Sequence, residues 1–156
     1  GNDVRAEEIS TVNGGIEMGD NVVIEEANAV NGDIEAGRNL VVENSIETVN
    51  GDINLGKGPE IGDDVETVNG DIDLAQAKVG GDIETVNGDI TLEDGTEVKG
   101  NIVYEEQNSR WGNSSKPTLK IEEGVKVGGS IILNREVDLD IPSYLDEKVE
   151  RNYDRY

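Results

Sequence analysis

The chain has 156 residues, enough for one domain, with 35 acidic against 13 basic residues and a net charge of −22. That balance excludes a nucleic-acid partner, since counterion release needs a basic surface, and it excludes docking on anionic membranes. The absence of Cys removes disulfides and thiolate metal sites, and no apolar run is long enough to span a bilayer.

Residues 1–8 are polar and acidic and read as a lead-in. The chain opens Gly1-Asn2-Asp3 without an initiator Met, so a removed signal peptide or lipid anchor is expected, with an exported, periplasmic or cell-surface location. From Ile9 a repeat begins. Thr48-Val49-Asn50-Gly51-Asp52-Ile53 recurs at Thr67–Ile72 and Thr85–Ile90, with looser copies at Thr11–Ile16 and Ala29–Ile34. Successive Val-Asn-Gly triplets start 18, 19, 19 and 18 residues apart. A fixed period near 20 marks stacked repeats.

Aligned on that triplet, the sequence gives apolar columns. One is Val12, Val30, Val49, Val68 and Val86, and a second is Ile16, Ile34, Ile53, Ile72 and Ile90. Two residues further lie Met18, Ala36, Leu55, Leu74 and Leu92, and a last column holds Ala27, Ile46, Val65, Ile83 and Ile102. All four are expected to fill the core. A second corner, Ile61–Val65, Val79–Ile83 and Val98–Ile102, repeats the apolar-x-x-x-apolar pattern. Alternation such as Ile90-Thr91-Leu92 has period 2, which is strand. The prediction is an all-β, single-stranded parallel β-solenoid over residues 9–141, read as right-handed, with 18–19 residues per rung. With 34% apolar residues and no Phe, its interior is narrow and filled by branched aliphatic side chains.

Residues 105–118 interrupt the period as a polar loop insertion containing Trp111, the only Trp, beside Arg110. Trp111 either covers a rung or, with Arg110, binds a partner; both readings stay open. The pattern resumes at Leu119 and Ile121. Over residues 142–156, Ser143 as N-cap and a Leu145, Val149, Tyr153 stripe predict a short helix capping the last rung.

Two polar columns carry the candidate chemistry. Asn13, Asn31, Asn50, Asn69 and Asn87 precede Gly at a tight corner and are expected to form a hydrogen-bonded ladder, with Asn-Gly supplying the turn conformation. Asp33, Asp52, Asp71 and Asp89, like Glu47, Glu66 and Glu84, would stack at about 4.8 Å and repel by about 0.9 kcal/mol per pair even in water. Either a divalent cation such as Ca²⁺ sits between those rungs, or solvent screens the row and no cofactor is bound. A Thr rank (Thr11, Thr48, Thr67, Thr85) flanked by Glu does not suit ice binding. Catalysis is not expected: there is no His base, and evenly spread carboxylates single out no acid/base pair.

Val79-Gly-Gly-Asp-Ile83 and Val127-Gly-Gly-Ser-Ile131, with the Thr-Val-Asn-Gly-Asp-Ile units, resemble two bacterial groups over residues 9–135. One is the exported putative-adhesin β-solenoids of unknown function; the other is the polymer-forming bactofilins. The resemblance implies a non-catalytic exported scaffold with structural, adhesive or interaction roles, a monomer or weak oligomer that binds a protein or glycan. A polymerising scaffold is the first alternative, and a calcium- or carbohydrate-binding module the second.

Overall fold

The computed structural model describes residues 4–105 and 116–152. Three parallel sheets wrap into a β-solenoid of about seven turns. The first sheet has eight strands: Glu8–Asn13, Glu26–Asn31, Ile46–Asn50, Val65–Asn69, Ile83–Thr85, Ile102–Tyr104, Ile131–Leu133 and Val149–Arg151. The second has seven: Ile16–Met18, Ile34–Ala36, Ile53–Leu55, Ile72–Ala75, Ile90–Glu93, Thr118–Ile121 and Asp138–Asp140. The third has six two-residue strands: Val23–Ile24, Val41–Val42, Glu60–Ile61, Lys78–Val79, Glu97–Val98 and Lys126–Val127. Each rung passes through the three sheets in that order, so every strand pairs with its equivalent one rung away.

The register reproduces three of the four apolar columns. Ile16, Ile34, Ile53, Ile72 and Ile90 stack in the second sheet, and Ala27, Ile46, Val65, Ile83 and Ile102 in the first. Ile34, Ile46, Ile53, Ile72, Ile83 and Ile90 are wholly buried. Each such side chain contributes about 1.5–3 kcal/mol through removal from water.

The fourth column departs from expectation. Val12 is 63% exposed, and Val30, Val49 and Val68 are 39–40% exposed, while Thr48, Thr67 and Thr85 are buried. Strand parity is the reason: with Ile46 pointing inward, Thr48 points inward and Val49 outward. Counting four residues from Val49 to Ile53 crosses the Asn-Gly corner, where parity is reset.

The insertion stays within one rung. Ile102 pairs with Ile131, and Ser130 N–H reaches Asn101 Oδ1 across 29 residues instead of 18 or 19. The added chain lies between the strand ending at Tyr104 and the one starting at Thr118. Trp111 and Arg110 fall outside the described residues.

The C-terminal cap is a short helix as expected, but it is shorter than the predicted stripe and lacks the Ser143 cap. Ser143–Lys148 is a 3₁₀ helix entered from Pro142 without a side-chain cap. Val149 then lies in a strand over Ile131 instead of on a helical stripe with Leu145, and Tyr153 is outside the described residues. Leu145 is buried, and the first sheet continues to Arg151, beyond residue 141. Extending the inward apolar column outweighs what a six-residue helix gains.

Candidate functional site

Each rung has three corners, and polar side chains take part in stacking at all of them, most regularly at two. At the corner from first to second sheet, Asn31 Nδ2 donates to Asn13 Oδ1, Asn50 to Asn31, Asn69 to Asn50 and Asn87 to Asn69, at 2.8–3.1 Å. Arg135 Nη1 closes the row, donating to Asn87 Oδ1 at 2.6 Å and to Val86 O at 2.8 Å. The Asn ladder is therefore as expected, and none of its five Asn residues takes a positive φ. Gly32, Gly51, Gly70 and Gly88 are required because a Cβ at each would lie 1.7–2.1 Å from the Gly carbonyl oxygen one rung back.

The stacked Asp residues have a defined task at the same corner. The N–H groups of Asp52, Asp71 and Asp89 donate to Oδ1 of Asp33, Asp52 and Asp71 at 2.8–2.9 Å, and Thr118 N–H donates to Asp89 Oδ1. The corner from third to first sheet repeats the device. There, Asp82 N–H donates to Asp64 Oδ1 and Asn101 N–H to Asp82 Oδ1. These carboxylates satisfy backbone donors that the sheets leave unpaired. Among the described residues, no three acidic side chains converge as a metal site.

The corner from second to third sheet carries the left-handed residues Asn21, Asn39, Gln76 and Asp94, with Gly58, Gly95 and Gly124. Asn39 Nδ2 donates to Asn21 Oδ1 at 3.1 Å in the first two rungs, but the residue types change further along, so no motif marked this corner in the sequence.

The distinctive surface is the outer face of the first sheet. There Glu47, Glu66 and Glu84 form one column in register, and two residues along each strand the exposed valines form a parallel ridge. Between them runs a groove of about 480 Å³, with Asn28 near one end and Glu105 near the other. Thr48 and Thr67, on the inner face, brace it by donating to the carbonyls of Gly32 and Gly51 at 3.0 Å.

The acids of this column perturb one another. Glu66 is pushed up to about 6 by its hydrogen bond with Glu84, by burial and by the charges of Glu84 and Asp64, against a lowering hydrogen bond with Glu47. Glu47 is also raised, first by its hydrogen bond with Glu66. Glu66 thus keeps a proton at mildly acid pH and releases it as pH rises through about 6.

The sequence identified the Glu column but not the valine ridge beside it. Alternation from buried Ile46 was the signal that placed Val49 outside. The chain matches no family model, no curated protein and no solved structure.

Proposed function

We propose that this chain is a non-catalytic, exported bacterial scaffold that holds a partner on the flat side of a rigid solenoid. The observation supporting this reading is a division of labour among the side chains. Asn and Asp at the first-to-second corner are occupied in joining rungs. The outer face of the first sheet instead presents a continuous apolar ridge and an acidic row. The titratable groups of that groove are all carboxylates and its threonines turn their hydroxyls inward, so binding suits it better than turnover. Adhesion is the role this surface fits.

Fractionation of the source cells tests export: recovery in the envelope or medium is expected, and retention in the cytosol overturns the reading. Polymerisation is the second reading, favoured by the outer edges of Glu8–Asn13 and Val149–Arg151, the end strands of the eight-stranded sheet among the described residues. Sedimentation and electron microscopy in plain buffer separate the two. Monomers or small oligomers are expected, and filaments would establish the polymer.

A further inference from the structure

Four of the five large aliphatic side chains exposed among the described residues, Val12, Val30, Val49 and Val68, lie on the single ridge beside the groove. Exposed apolar residues are ordinarily scattered, and alignment into one patch marks a contact surface. The carboxylate column is unusual too, and the third sheet supplies the comparison. There the outward column reads Glu60, Lys78, Glu97, Lys126 in register, so each acid stacks next to a base. Glu47, Glu66 and Glu84 stack acid on acid with no base between them. The fold can neutralise a charged column internally, and on this face it leaves that to something else.

Charge and geometry define the occupant. A second copy of a chain with net charge −22 is repelled. A lysine stem is about as long as the roughly 7 Å that separates residues two apart on a strand, so it can lie on a valine while its ammonium group reaches the neighbouring glutamate. The groove runs across successive rungs about 4.8 Å apart, which suits an extended chain better than a compact head group.

We propose that this groove docks an extended, lysine-rich segment of a partner protein, with ammonium groups on Glu47, Glu66 and Glu84 and aliphatic stems and interleaved apolar side chains on Val30, Val49 and Val68. The proposal rests on the interaction-scaffold reading and names its partner chemistry. The Glu66 proton gives it a pH signature. Glu66 faces Glu47 and Glu84 in its own column and Asp64 at the preceding corner, all acidic, and it releases its proton near pH 6. Docking therefore strengthens as pH rises through that value.

The test uses fluorescence anisotropy of the full chain with a labelled synthetic peptide of about eight residues alternating Lys and Val, long enough to cross the groove. Binding is expected at neutral pH and physiological salt. Glu66→Gln, and separately Val49→Ser combined with Val68→Ser, should each weaken it about tenfold. Glu60→Gln on the third sheet should leave Kd unchanged, and thermal melts confirm that the variants are folded. Equal affinity for a Lys/Ser peptide, or no loss with the valine variant, overturns the proposal in favour of diffuse charge attraction. Absence of binding at millimolar peptide also overturns it. The scaffold reading would survive that result, because fractionation and sedimentation judge it independently.

Discussion

Thr67 donates its hydroxyl to the Gly51 carbonyl, 16 residues back, and Thr48 does the same to Gly32. Tyr104 takes over the role two rungs later, reaching Gly88 O at the same separation of 16 and Thr118 O as well. Where the rung is one residue shorter, that geometry is lost. Thr85 is 1% exposed and its Oγ1 has no partner, and at the other short rung the position is Ala29. Thr67→Val should therefore cost about 1 kcal/mol in urea unfolding, whereas Thr85→Val should be neutral or stabilising, because it removes a buried hydroxyl that bonds nothing. Glu66 gives a second residue-level prediction, with a definite sign. Its folded-state pKa of about 6 lies above the ordinary carboxylate value of 4.5, so its contribution to stability is fully present below 4.5 and lost as pH rises through about 6. Glu66→Gln should raise Tm at pH 7 and flatten the fall in Tm across that window more than Glu60→Gln does. The same substitution should weaken peptide docking, so stability and binding move in opposite directions at one residue.

Among the corner elements, two glycines separate backbone conformation from backbone approach. Gly70 has no positive φ, yet a Cβ there would sit 1.9 Å from Gly51 O, and neither rung can give way while the sheets on either side stay paired. Gly95 has φ +77° and open space around its Cβ position. Gly70→Ala should cost about 3 kcal/mol or prevent folding, at the upper end for overpacking, and Gly95→Ala only about 1–2 kcal/mol of left-handed strain; urea titration of both distinguishes them. This contrast also shows what the sequence disclosed. The period, the Ile columns, the Asn ladder and the two Gly-marked corners were readable because identical residues recur wherever rungs touch. The third corner was not, because Asn21, Asn39, Gln76 and Asp94 share a left-handed backbone but only the first two share a residue type. The Thr and Val columns were exchanged because the repeat unit spans a corner, and alternation holds only within a strand. That error hid half of the groove: the Glu column was seen, but its valine neighbour had been assigned to the core. Val149 was misplaced for a related reason, since a five-residue sequence too short to repeat fits a helical stripe as well as one more strand.

At the scale of the whole molecule, a stack in which each rung touches only its neighbours has stability that depends on rung-to-rung coupling and on its ends. The C-terminal end is closed by specific contacts. Tyr144 Oη accepts from Gly124 N–H at 3.0 Å and donates to Val125 O at 2.8 Å, and Lys148 Nζ approaches Gly129 O at 3.4 Å. The 3₁₀ helix thus stands where a further third-sheet strand would pair with Lys126–Val127. Its loss would expose that edge, together with Val125 and Val127, both buried. If coupling between rungs is strong, removing the cap lowers protection everywhere alike; if it is modest, damage stays local and fades inward. The modest case is expected here, because the third-sheet strands are two residues long and the insertion after Tyr104 interrupts the corner just inside the last rungs. Hydrogen exchange should accordingly show the slowest amides in the uninterrupted rungs of Ile53–Leu55 and Ile72–Ala75. Tyr144→Phe, which keeps the ring and removes both hydrogen bonds, should speed exchange over residues 124–133 severalfold while leaving those central amides unchanged. A uniform rise would show instead that the solenoid opens as one unit. Glu105 ends the groove in the rung that the cap covers, but Val30, Val49, Val68, Glu47 and Glu66 lie on rungs further in, so with modest coupling their geometry is maintained even while the end frays. In that case Tyr144→Phe leaves peptide affinity where it was.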